Sequence, residues 1–291
     1  MDRARSVIHS YPPQGITGRG IGIAILDTGI SPLEDFTYPQ NRIVAFKDFV
    51  NEITTPYDDN GHGTHVAGIS SSNGILSDGL FSGIAPQSNI ISLKILDEAG
   101  HGASIWALEA VKWIHLNHKK YNIRVVNMSI GTNDSVISSA LLNAVRGLYE
   151  AKITVVAAAG NENHFRVSSP GISPYVITAG AMEDKTRFKF KTGRSMYYKP
   201  DIFAPSENII SCRSKNFSFA AANRGSERIY NENYISMSGT SMATPMISGA
   251  AALLYQYSPA FTPRDVKKIL NSVSASNGYV LNIEKVFKSL K

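Results

Sequence analysis

Five strand-length runs, at residues 21–27, 90–96, 124–129, 153–159 and 176–181, are apolar on both of the faces a strand would present. Successive strand residues point to opposite sides of a sheet, so runs of this kind need cover on both sides. Longer patterns suited to helices lie between and after them, at 62–70, 104–118, 135–149 and 241–257. A shorter helix is predicted after Thr262-Pro263, with Thr as N-cap and Pro as the first helical residue. Strands alternating with helices predict an α/β fold on a mainly parallel sheet. No repeat or low-complexity linker interrupts the 291 residues, so residues 1–291 are read as one domain. A chain of this length buries roughly three quarters of its unfolded surface and needs no disulfide or metal to hold a core.

The single cysteine, Cys212, excludes an intrachain disulfide and reads as a small buried bystander. The net charge of +6 reads as a mild basic excess of a soluble protein. Nucleic-acid binders concentrate such charge in a block or stripe. The one dense stretch holds Lys185, Arg187, Lys189, Lys191, Arg194 and Lys199, and its partly alternating spacing predicts the solvated face of a strand or hairpin. No nucleic-acid partner is expected, and no membrane partner, since no apolar run approaches about 20 residues. The N-terminal MDRARSVIHSYPPQG lacks the apolar core of a signal peptide. Read as it stands, the chain predicts a cytoplasmic protein; a secreted one follows if a leader has been removed.

Active sites of such sheets lie at the carboxyl ends of the strands. Asp27 closes the first apolar run, Asn161 follows the fourth through Ala159-Gly160, and Ser241 opens a helix. Each has a plain alternative: a turn Asp, a turn Asn and an N-cap Ser. His62 and His65 are spaced i, i+3, but the adjacent Glu and i, i+4 spacing of zinc helices are missing. His65 reads as a structural histidine. Around Ser241 the residues are small, the following helix is rich in Ala and Gly, and Pro245 is placed in its first turn, where a missing N–H costs little. A serine hydroxyl needs a base, a histidine is that base near neutral pH, and a carboxylate fixes the histidine's tautomer. The three residues together meet that need.

The motifs DTGI, GHGTHVAG and SGTSMATP, in that order, closely resemble the signatures of the subtilase family. GIAP, NMSIG, AAAGNE and KPDIFAP also fall in family order, so the resemblance covers about residues 20–270. It implies a three-layer α/β/α subtilisin-like fold and a serine endopeptidase acting on extended protein or peptide segments, with no cofactor required for the chemistry. Ser241 would be the nucleophile, His62 the general base and then acid, and Asp27 the orienting carboxylate. Asn161 would donate its amide to the oxyanion together with the Ser241 N–H. Ser129, Ile130 and Gly131 would wall the pocket for the residue before the cut. Gly100 and Gly102, flanking His101, would pair with the substrate backbone. Glu162 falls at the rim of that pocket, where it would favour basic side chains or simply be solvated.

Residues 62–96 and FAPSENIIS are most similar to intracellular alkaline members of the family. Only 26 residues precede Asp27, which leaves no room for a folding prodomain; either it was removed or this branch manages without one. The segment 70–83 has Asp78 as its one carboxylate and lacks a clear match to the family's calcium loop, so a tight calcium site is not expected there. Segment 212–234 reads as a flap, an autolysis-prone loop or a passive insertion. A monomer is expected. Two other functions fit less well: a silent binding module, opposed by the complete constellation, and a peptide ligase or cyclase, opposed by the lack of a large lid. A nucleotide-binding GxxxxGK[ST] is absent, and GTSMA is not the GxSxG of α/β-hydrolases.

Overall fold

The structure, a computed structural model, describes residues 1–161, 167–192, 195–217 and 228–291. Its first half runs α1 (Asp2–Val7), β1 (Gly22–Asp27), α2 (Glu34–Thr37), β2 (Ile43–Asp48), α3 (His62–Ser71), β3 (Asn89–Lys94), α4 (Ser104–Asn117), β4 (Ile123–Met128), α5 (Ser135–Glu150), β5 (Thr154–Ala158) and β6 (Val176–Ala181). Then follow β7 (Phe188–Thr192), β8 (Ser195–Lys199), β9 (Ile202–Ala204), β10 (Ile209–Cys212), β11 (Arg228–Ile229) and β12 (Tyr234–Met237). Helices α6 (Thr240–Tyr257), α7 (Pro263–Ala275) and α8 (Ile283–Lys288) complete the order.

Strands β2-β3-β1-β4-β5-β6-β9 form a seven-stranded sheet whose ladders are all parallel. The two-sided apolar runs explain its layers. In β1, Ile23 and Ile25 join the core of Val66, Ile69, Met246 and Leu253 from α3 and α6. Ala24 and Leu26 point the other way, to Ala110, Ile114, Val145 and Leu148 from α4 and α5. Each fully buried Val, Leu, Ile or Met side chain among them contributes about 1.5–3 kcal/mol. The result is the expected three-layer α/β/α architecture. The chain reverses its direction of growth between β1 and β4, and a crevice opens at a switch point of this kind.

The five predicted strands and four longer helices form where expected. The helix after Thr262 carries a reciprocal cap: Thr262 Oγ1 accepts from the Asp265 N–H, and Asp265 accepts from the Thr262 N–H. Strand β2 escaped the apolar criterion because it is an edge strand with exposed Val44. The basic stretch does form an antiparallel hairpin, β7 with β8, but one of its lysines is not solvated. Lys199 is buried, donating to the Val176 carbonyl, Thr178 Oγ1 and Asp201 Oδ2, while Lys267 of α7 reaches Asp201 Oδ1 at 3.3 Å. Burial alone would raise the Asp201 carboxyl, but the Lys199 and Lys267 charges hold it below the ordinary carboxylate range. Arg194 lies outside the described residues. Among the described residues no helix is long and apolar enough to cross a membrane.

Candidate active site

Strand β1 delivers Asp27 to the carboxyl edge of the sheet, opposite Lys94 in the neighbouring strand β3. Helix α3 begins at His62 and comes close to Asp27 because its second residue is Gly63. A Cβ there would fall 2.3 Å from the Gly29 carbonyl oxygen and 3.2 Å from Asp27 Cβ. His62 Nδ1 consequently lies 2.7 Å from Asp27 Oδ1, with the carboxylate 1% and the imidazole 22% exposed. The Thr28 N–H donates to the same oxygen at 2.8 Å. A carboxylate accepts, so Nδ1 carries the proton of the neutral ring and Nε2 the lone pair.

Two buried charged groups brace this pair. Asp58 accepts from Thr28 Oγ1, from the N–H groups of Asn60, Gly61 and Thr64, and from Thr64 Oγ1. Thr28 Oγ1 in turn accepts from the Gly63 N–H at 2.9 Å. One carboxylate thus ties the turn after Asp27 to the start of α3 and satisfies amides that a helix start leaves unpaired. Lys94 donates to the carbonyls of Thr28 and Leu96 and to Asp59 Oδ1, joining that turn to the chain leading to Gly100.

Ser241 is the second residue of α6, buried among small neighbours. Its hydroxyl donates to the Ser129 carbonyl at 3.2 Å, and the Ser129 hydroxyl donates back to the Ser241 carbonyl at 2.9 Å. Pro245 is not in the first turn of this helix as expected. The helix starts at Thr240, which makes Pro245 its sixth residue. Its missing N–H is the one that would have bonded the Ser241 carbonyl four residues earlier. Ser129 supplies the donor in its place.

Asn161 follows β5, the neighbour of β4. Its Oδ1 accepts from the Thr240 N–H at 2.9 Å and from Thr240 Oγ1 at 3.0 Å, which orients the amide and leaves Nδ2 as its outward donor end. Gly239, with φ near +138°, passes so close that a Cβ there would meet Nδ2 at 3.1 Å. One cleft of about 940 Å³ is lined by His62, Ser241 and Asn161 together with Ser129, Ile130, Gly131, Gly100 and Gly102. The last two lie outside any sheet ladder, in the loop between β3 and α4. Glu162 lies outside the described residues, as do residues 218–227 of the 212–234 segment.

A model of the subtilase family matches residues 18–284. This chain belongs to the subtilase family. Serine protease AprX of Bacillus subtilis (strain 168) is 40% identical over 279 residues, which cover 89% of this chain and 62% of that protein. This chain therefore spans less than two thirds of that relative's length. Subtilisin of Bacillus pumilus is 32% identical over 275 residues, covering 91% of this chain and 87% of that one. Among solved structures, a cold adapted subtilisin-like serine proteinase superposes with a TM-score of 0.69 at 29% identity, covering 92% of this chain and 90% of the other.

In this subtilase His65 is structural, as expected. It is fully buried, with Nε2 directed at the carbonyls of Ile209 and Ile235, and burial first, then the nearby His62 charge, lower its pKa to about 3. Cys212 is buried but not a bystander, since its thiol donates to Asp35 Oδ2 at 3.3 Å and burial pushes its pKa well up. The calcium loop is tested by the same carboxylate. Asp35 also accepts from Ser72 Oγ, Tyr234 Oη and the Leu76 N–H, so its oxygens face proton donors, and Asp78 is exposed. Among the described residues no group of three or more His, Cys, Asp or Glu converges.

Proposed function

We propose that this chain is a serine endopeptidase that works through an acyl-enzyme, residues 1–291 acting as one catalytic domain. The observation that carries this reading is the buried His62–Asp27 pair at 2.7 Å, opening into the same cleft as Ser241 and Asn161. The relatives, a serine protease and a subtilisin, support it.

The chemistry follows from the donors and acceptors present. The Ser241 hydroxyl rests on the Ser129 carbonyl at 3.2 Å, a long bond for O–H to O. Rotation about Cα–Cβ exchanges that acceptor for the lone pair on His62 Nε2. As Ser241 Oγ attacks the substrate carbonyl carbon, its proton passes to Nε2, and Asp27 stabilises the imidazolium. The C–O bond electrons collect on the former carbonyl oxygen, which receives hydrogen bonds from Asn161 Nδ2 and the Ser241 N–H at the positive end of α6. Collapse breaks the C–N bond, and His62 returns the proton to the leaving amine. Water then repeats the sequence on the ester. The walls at Ser129–Gly131 and Gly100–Gly102 accept an extended main chain, which makes the substrates unfolded or looped protein segments.

Labelling with a fluorophosphonate tests this reading. Wild-type protein is expected to label at Ser241 and to cleave a peptide library, with product masses that show hydrolysis; Ser241→Ala is expected to do neither. Folded wild type that never labels would overturn the proposal. Ligated or cyclised products in place of hydrolysed ones would overturn its hydrolytic part.

A further inference from the structure

Behind Ser241 lies a buried polar chain that the steps above leave unused. Ser248 Oγ, one face of α6 further on, donates to Asn127 Oδ1 at 2.9 Å. Asn127 Nδ2, on β4, donates to Ser129 Oγ at 3.0 Å. Ser129 Oγ donates to the Ser241 carbonyl at 2.9 Å. Ser248 and Asn127 are fully buried in the contact between α6 and the sheet, beside the apolar core. Polar groups in such a place cost stability unless each is paired, so their presence asks for a reason.

As it stands, the chain runs in one direction. The Ser241 carbonyl is buried, and Pro245 has removed its ordinary helical donor. The Ser129 hydroxyl has one proton. If Asn127 were turned round, that proton would go to the Asn127 oxygen and the Ser241 carbonyl would lose its donor. As placed, the Ser248 hydroxyl donates to the Asn127 oxygen on its own side, which leaves the Asn127 amide N–H facing Ser129. Every proton therefore points towards Ser241.

We propose that Ser248, Asn127 and Ser129 are positioning residues that form a one-way hydrogen-bond relay aiming the Ser241 main chain, and that Pro245 keeps the end of the relay open. This rests on the reading of Ser241 as nucleophile. The relay holds the carbonyl of Ser241 and, through the same residue's Cα, sets the arc of its Cβ–Oγ bond and the aim of its N–H. Ser129 is also a wall of the substrate cleft, so one hydroxyl sets the spacing between bound substrate and nucleophile. A misplacement of about 1 Å in such an arrangement costs on the order of 10²-fold in rate.

The test is a kinetic split with a rescue. Ser129→Ala is expected to lower kcat about 10- to 100-fold, with KM changed by less than about twofold, since the pocket wall keeps its backbone. Ser248→Ala is expected to lower kcat by a smaller factor with KM unchanged. In Ser129→Ala combined with Pro245→Ala, the new N–H at residue 245 can bond the Ser241 carbonyl directly, and kcat is expected to recover by about tenfold over Ser129→Ala alone, the lower bound of the loss it repairs. A purely structural role would not predict that a second substitution restores turnover. Near-UV circular dichroism selects folded variants, and the conservative Ser248→Ala keeps the test decisive if Ser129→Ala does not fold. Wild-type kcat in either single variant, or a double variant no better than Ser129→Ala, overturns the relay. Fluorophosphonate labelling separates the two failures: if wild type does not label at Ser241, the nucleophile reading is what fails. If wild type and both single variants label at one common rate, only the relay fails.

Discussion

On the Asp27–His62 side of the cleft the braces are charged; on the Ser241 side they are neutral. Asp58 and Lys94, both buried, hold the turn after Asp27 and the start of α3. Ser129, Asn127, Ser248, Thr240 and Asn161 hold the start of α6 with hydroxyls and amides. The difference matches where charge would stand during the proposed reaction. In that mechanism the orienting carboxylate takes up no proton, so a fixed, hydrogen-bonded charge beside it adds rigidity. On the other side a negative oxygen exists only fleetingly, and a buried carboxylate there would oppose it. Oriented dipoles favour that oxygen without holding the uncharged substrate equally well.

Substitutions on the two sides should therefore fail in different ways. Asn161→Ala is expected to lower kcat by about 10²–10³, the loss known for the corresponding donor of subtilisin, from which the figure is taken. KM and the urea midpoint should stay near wild type, because Thr240 lines the cleft and water filling the space left by the amide can accept its bonds. Asp58→Asn is expected to lower kcat and stability together. It sets an amide among groups that all donate, at a cost of at least about 3 kcal/mol in urea unfolding. Should Asp58→Asn unfold at the wild-type midpoint, the charged side is not the rigid one and the contrast collapses.

The smallest effect is one of pH. His65 is held neutral with a pKa near 3, against about 6.5 in an unfolded chain. The unfolded state then binds the extra proton throughout that window. The stability contribution is complete above about pH 6.5 and is lost as pH falls towards 3, by at most about 1.4 kcal/mol per pH unit. His65→Asn should flatten the slope of unfolding free energy between about pH 5 and 6.5, where carboxylates contribute little. An unchanged slope would assign the acid sensitivity to another group.

The parts of the molecule legible from sequence are those where one residue type has one physical use. Runs such as 21–27 and 176–181 admit only a covered strand, and Asp27, His62, Ser241 and Asn161 stand in motifs whose neighbours, Gly63 and Gly239 among them, are dictated by close approach. Strand β2 was hidden because an edge strand need not be apolar on both faces. Asp58 was hidden in YDDNG, where two adjacent carboxylates look alike and only burial separates them. Ser248 sits in a small-residue helix where a hydroxyl passes for a filler, and Asn127 in a strand where it passes for an interruption. Pro245 is the fifth residue even of a helix that opens at Ser241 and the sixth of α6, so the expected first-turn proline failed by its position and not by a shift of the helix start.

The order of these pieces along the chain has a temporal consequence. In the proposed mechanism carboxylate and base lie at residues 27 and 62, the oxyanion donor at 161 and the nucleophile at 241, on the helix that covers one face of β4, β5 and β6. A polypeptide growing from its N-terminus carries every other member of the site before it carries Ser241. The proposed nucleophile and the cover of the sheet arrive in the same helix, so on that proposal cutting ability and a closed core come into being together, and a half-made copy would have no means of attacking its neighbours.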